Sequence, residues 1–173
     1  MKLYNVVGLA AAMTLGLAQA ASAVTIFTVN LTEAQEVVSP VPLGASGTAT
    51  AVLNDAMTRL EINIQLLGLD LDGLQTPGTT DDNVTRMHFH AAPFGVNGGI
   101  VFGFIGPDND LNGDLVIDPV AGTIFGGWDV GEGNGTDLVA QLGNLFSRGL
   151  YLNVHTTASQ GGQIRGQVVS EPV

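Results

Sequence analysis

The sequence predicts an all-β chain. The expected form is an antiparallel, Greek-key-like β-sandwich or flattened barrel with one short helix. Three observations carry this. Apolar and polar residues alternate over short stretches, as in Leu60, Ile62, Ile64 and Leu66 against Glu61, Asn63 and Gln65. Glycine is abundant, at 24 of 173 residues, and with Asn, Asp and Pro it cuts the chain into pieces of strand length. Helical spacing of apolar residues is confined to one stretch, residues 138–146. Many short strands between turns are the mark of sandwiches and barrels.

In order, residues 24–31 form a first strand, with Thr25, Phe27 and Val29 opposite Ile26 and Thr28. Ser39-Pro40-Val41-Pro42 breaks regular structure. Residues 47–53 and 58–67 form a hairpin around the turn Asn54-Asp55-Ala56-Met57, with one face wet and the other in the core. Residues 71–83, rich in Gly, Thr and Asp, read as a loop. Residues 84–89 form a strand that stops before Ala92-Pro93, and residues 100–105 form another. Residues 115–117 and 123–130 are two further short strands. In the helix, Leu138, Leu142 and Leu145 or Phe146 share a face, Asp137 sits at the start and Gly149 follows the end. It is expected to pack over one end of the sandwich. Trp128 with Phe125 offers an aromatic patch for sugars or protein, but core packing suits a lone Trp better.

The N-terminus reads as a signal peptide over residues 1–23. Lys2 precedes an apolar run over residues 6–17, and Ala18-Gln19-Ala20 and Ala21-Ser22-Ala23 are cleavage sites. The run is too short for a transmembrane span. A secreted protein is expected, extracellular, periplasmic or at the cell surface, with residues 24–173 as a single domain and no membrane span after cleavage. That part holds no lysine and all the acids; its cationic side chains are Arg59, Arg86, Arg148 and Arg165. The net charge of −11 makes nucleic acid and anionic membranes poor partners. There is no cysteine, hence no disulfide or thiol chemistry.

The residues of greatest interest lie near the C-terminus. In Leu150-Tyr151-Leu152-Asn153-Val154-His155-Thr156 the leucines and Val154 point one way, and Tyr151, Asn153 and His155 the other. After a small polar link, Ile164 and Val168 alternate with Gln163, Arg165 and Gln167. Pairing as a hairpin sets Asn153 against Arg165 and Tyr151 against Gln167. Tyr151, Asn153, Gln163 and Arg165 then share a polar face with His155, solvated or hydrogen-bonded within itself.

Asn153-Val154-His155-Thr156 with Gly161-Gly162-Gln163-Ile164-Arg165-Gly166-Gln167 resembles the end of a CHRD domain, the repeat described in chordin. Ala34-Gln35-Glu36-Val37 leading to Gly44-Ala45-Ser46-Gly47-Thr48-Ala49 resembles its opening. Met87-His88-Phe89-His90-Ala91-Ala92-Pro93 resembles its central H-x-H segment. The family implies no settled activity. The chordin resemblance suggests protein–protein contact, and the expectation is a non-enzymatic binding or structural module for an extracellular protein or polysaccharide.

Three histidines are present, and all fall in these segments. His88 and His90 are two apart on a strand, so they share a face about 6.5 Å apart. With His155 they make a three-nitrogen set for one copper or zinc ion with an open position. The competing reading is that they hydrogen-bond Asn153, Gln163 or backbone carbonyls and fasten the sheet; Arg86, on the same face, opposes a cation. A fainter likeness, to copper/zinc superoxide dismutase, rests on H-x-H and a late Arg. That family's two-metal site needs more than three histidines, so the likeness bears on fold and at most one metal.

A second, less favoured ion is calcium. Asp108, Asp110 and Asn112 take the first, third and fifth places of a calcium loop, with Gly113 sixth and Asp114 seventh. The twelfth place is Pro119 instead of Glu, so a plain acidic turn is the stronger reading. No nucleophile motif, phosphate loop or carboxylate pair points to catalysis, and no catalytic residue is expected.

Overall fold

The computed structural model describes residues 24–171; the expected signal peptide lies outside the described residues. Strand β1 (Thr25–Thr32) turns Phe27, Val29 and Leu31 inward. It pairs with β2 (Ser46–Leu53), and β2 with β3 (Arg59–Leu67), so that Phe27, Ala51 and Ile62 lie side by side. Alternation dictates this register, since a slip of one residue would expose Leu60, Ile62, Ile64 and Leu66. The β2–β3 turn is closed by Asn54, whose side-chain oxygen accepts the Thr58 amide at 2.8 Å.

The remaining strands are β4 (Val84–Ala91), β5 (Gly99–Ile105), β6 (Val116–Asp118), β7 (Thr123–Asp129), β8 (Leu150–Thr156), β9 (Ile164–Gln167) and β10 (Val169–Ser170). All join one antiparallel sheet in the order β5-β4-β8-β9-β1-β2-β3-β7-β6, with β10 also on β1. The sheet curls into a half-barrel, the flattened-barrel form of the expected all-β fold, and encloses one core. Trp128 of β7 stacks on Phe102 of β5 at 5.1 Å, so strands far apart in the order meet across the interior. Its indole N–H donates to the Glu132 carbonyl at 2.8 Å. Phe125 points outward and is half exposed, so it forms no patch with the buried Trp128.

Helix α1 (Leu138–Phe146) is the one α-helix among the described residues. Asp137 caps it by accepting the Ala140 amide at 2.8 Å. Leu138 and Leu145 enter the core, and Phe146 meets Phe27 of β1 edge-on at 5.6 Å. Most strand boundaries differ from expectation by one residue, and the largest difference is in β4. The short strand before β7 starts one residue later, and β4 runs on through His90 to Ala91. Continued pairing with β8 carries β4 to that point.

Candidate metal centre

The two histidine segments are neighbours. β4 and β8 pair antiparallel, with Arg86 opposite His155, His88 opposite Asn153, and His90 opposite Tyr151. On its other side, β4 meets β5 with register shifts between Met87 and His88 and between Phe89 and His90. Such bulges re-aim side chains. Met87, Phe89, Leu152 and Val154 fill the core, so the alternate residues His88, His90, Asn153 and His155 gather on the outer face. The hairpin register anticipated from sequence is present, with Asn153 opposite Arg165 and Tyr151 opposite Gln167.

One imidazole nitrogen from each of His88, His90 and His155 lies within 4.8 Å of the others. Ring centroids of His88 are 4.6 Å from those of His90 and 4.7 Å from those of His155. Zinc bonds imidazole nitrogens at about 2.0–2.1 Å, which sets tetrahedral ligands about 3.4 Å apart. Nδ1 of His90 donates to the Gly98 carbonyl at 2.8 Å, and Nδ1 of His155 donates to the Gln160 carbonyl at 3.0 Å. Carbonyls only accept, so each Nδ1 carries the proton and each Nε2 keeps a bare lone pair. Neither Nε2 has a hydrogen-bond partner, and neither does either nitrogen of His88 or the side-chain oxygen of Asn153. Exposure is 1% for His88, 9% for His90 and 6% for His155. Buried polar atoms are normally paired. An orienting bond on Nδ1 with Nε2 left free, as in His90 and His155, is the pattern of metal-binding histidines.

The face is neither solvated nor bonded within itself, as the sequence suggested. Loops cover it. Arg165, 1% exposed, donates to the carbonyls of Val96 (2.9 Å) and Pro93 (3.2 Å) and to the Asn97 side chain (3.2 Å). Its guanidinium lies 3.4 Å from the centre of the Tyr151 ring. The other face of Tyr151 stacks on His90 at 4.7 Å, nearly parallel. The Gly98 amide donates to the Tyr151 hydroxyl at 3.1 Å, so one glycine anchors both rings. A β-carbon at Gly98 would overlap the Ala91 carbonyl, so only glycine allows this approach. Gln163 donates to Glu33 and to the Val41 carbonyl, both at 2.8 Å, fixing a second cover. Arg86 donates to the Gln160 carbonyl at 2.8 Å, the same oxygen that His155 uses, so its guanidinium lies beside that imidazole.

Burial, then the neighbouring histidines and Arg86, push the His88 pKa down to about 3. Burial, with Arg86 and His90, brings His155 down to about 4, against the opposing bond to Gln160. Burial lowers His90 as well, with Arg165 adding to it. All three rings are therefore neutral at neutral pH, the form that coordinates metal. Each folded value lies below the ordinary 6.5, so the unfolded chain takes up protons first as pH falls. The stabilisation is complete above pH 6.5 and is lost on the way down to pH 3 to 4. Glu36 acts oppositely: burial raises it to about 7, against Arg165, so its contribution is full below pH 4.5 and lost as pH rises through 7. The urea midpoint of metal-free protein should drop from about pH 6.5 to 4, and less steeply in a His88→Leu variant. Equal slopes in the two proteins would contradict the assignment.

The acidic loop is organised differently. Asp110 accepts the amides of Asn112 (3.1 Å), Gly113 (2.8 Å) and Leu115 (2.8 Å), and Asp108 accepts that of Asp110 at 3.0 Å. Asn112 accepts the Asp114 amide at 3.1 Å, and Asp114 pairs with Arg59 at 2.6 Å. Asp70 closes a similar turn on the amides of Asp72 and Gly73. Among the described residues, the histidine triad is the one group of three or more His, Cys, Asp or Glu with ligand atoms this close. Sequence reasoning passed over Gly98 and Gln160, whose carbonyls orient His90 and His155. The nearest signal is the pair Gly98-Gly99 after the H-x-H segment.

Fold and site together define an antiparallel β domain with a covered, histidine-bearing face. The CHRD domain family matches residues 27–168, almost all of the described chain. The chain belongs to the CHRD domain family. No curated protein and no solved structure matched it. Among the described residues, no helix is long and apolar enough to cross a membrane.

Proposed function

We propose that this CHRD domain is a secreted, non-enzymatic binding module that holds one copper or zinc ion on His88, His90 and His155. The observation that carries the reading is His88. Its ring is buried, it lies between two other imidazoles, and neither nitrogen has a hydrogen-bond partner. A histidine that fastens a sheet uses its nitrogens; this one keeps them free toward the other two rings. Arg86 stays beside the rings on the Gln160 carbonyl that His155 shares, so its charge weakens cation binding without occupying the imidazole nitrogens. Secretion rests on the leader at residues 1–23, and the non-enzymatic role on family membership and the lack of a nucleophile motif. A calcium ion on the loop with Asp110 is a weaker proposal, since its oxygens already take backbone amides.

The test is the metal content of protein purified without chelator or affinity histidines, beside a His88→Ala/His90→Ala variant. Near-stoichiometric copper or zinc in the first, and none in the second, is expected. No metal in either, with a less heat-stable variant, would make the histidines fasteners and leave a protein or polysaccharide as the ligand to seek.

A further inference from the structure

From the charges around the triad we infer that the site selects monovalent copper, Cu(I), over zinc and other divalent ions. This rests on the metal-site reading above. The donor set is three neutral imidazoles, and among the described residues no Asp or Glu oxygen joins them. Asn153, opposite His88 with a partnerless oxygen, contributes a dipole but no charge. The charges that act on the rings are positive. Arg86 shares the Gln160 carbonyl with His155, and Arg165 lies against the Tyr151 ring that stacks on His90.

Neither guanidinium is free to leave. Arg165 is fully buried and tied to Pro93, Val96 and Asn97, and Arg86 is tied to Gln160. Glu36, the acid that acts on Arg165, is itself held toward its neutral form by burial. A bound ion thus meets two guanidinium charges, with no carboxylate oxygen in its donor set among the described residues.

Repulsion grows in proportion to the ion's charge, and a covered site screens it weakly. A dication meets twice the repulsion of a monocation. Zinc also requires a fourth ligand, commonly water or an anion, in a space closed by the 92–98 and 157–162 loops. Imidazole is a suitable donor for copper, and Cu(I) is content with three neutral donors. Charge and coordination number point the same way.

The test is a competition titration of the purified protein without oxygen. Cu(I) is supplied as its bicinchoninate complex, and Zn(II) with a chromogenic zinc indicator. One Cu(I) per chain is expected, with zinc at least about 100-fold weaker. Zinc bound one per chain as tightly as Cu(I), or more so, would overturn the selectivity and leave the metal site standing. Neither ion binding would overturn both. Arg86→Gln, at a partly exposed position, should tighten zinc about tenfold while moving Cu(I) less than about threefold. Set against a threefold gain for Cu(I), the same tenfold gain for Cu(II) lowers the copper potential by about 30 mV for a one-electron couple. An unchanged zinc-to-copper ratio in this variant would remove the charge argument.

Discussion

Replacing His88 with leucine is expected to abolish metal uptake and to raise the urea midpoint of the metal-free protein. The ring is 1% exposed and carries two nitrogens without partners. Each polar atom buried in that way costs about 1–3 kcal/mol. Leucine fills a similar volume and removes both atoms, so the gain should be about 1–3 kcal/mol. A domain of this size shifts about 2–4 °C per kcal/mol. The two readings of the triad predict opposite signs. A fastening histidine would lose hydrogen bonds on substitution, and the variant would melt lower with metal content unchanged. Residues that weaken the fold while equipping a site are the expected exception to consistent design.

Arg165→Ala should give the largest loss of stability, about 4 kcal/mol, read as a fall of roughly 8–16 °C in Tm. Arg165 is the second largest fully buried side chain after Trp128. Its removal takes a donor from the Val96 carbonyl, the Asn97 side chain and the Pro93 carbonyl, the last of which keeps the Val96 amide, and bares one face of Tyr151. The 92–98 loop then keeps the Gln167–Ala92 bond to β9 but loses its ties at residues 93, 96 and 97, next to the Gly98 carbonyl that orients His90. The variant should therefore bind metal more weakly as well, despite the lost positive charge. A midpoint within about 1 kcal/mol of the parent would show that the loop is held by other contacts.

Much of this was legible in the chain. The β2–β3 hairpin followed from four apolar residues at period two, and the register of β8 on β9 from the same rule applied to Tyr151, Asn153, Gln167 and Arg165. The helix followed from Leu138, Leu142 and Leu145. Less legible was what covers the polar face. The partners of Arg165, His90, His155 and Gln163 are largely backbone carbonyls, at Val96, Gly98, Gln160 and Val41. Every residue has such a carbonyl, so no side-chain pattern marks the ones used. The proximity of His88 to His155 was hidden for a related reason. Alternation says which face a residue takes, but which strands are neighbours is set by the chain between them, here residues 92–149.

The strand order assigns β9 a further part. β5, β4 and β8 lie on one side of it, and β1, β2, β3, β7 and β6 on the other. In the ladder of the sheet, these four residues alone bridge the two groups, through Asn153–Arg165 on one edge and Thr32–Arg165 on the other. A chain under synthesis can zip β1 to β2 and β3 early, because those contacts are local. The histidine-bearing strands have no seam to join until Ile164–Gln167 arrives, and long-range closure of this sort is slow. Arg165 sits at that seam. The residue that completes the sheet also clamps the cover over the triad, so the histidine pocket takes shape as one of the closing events of folding.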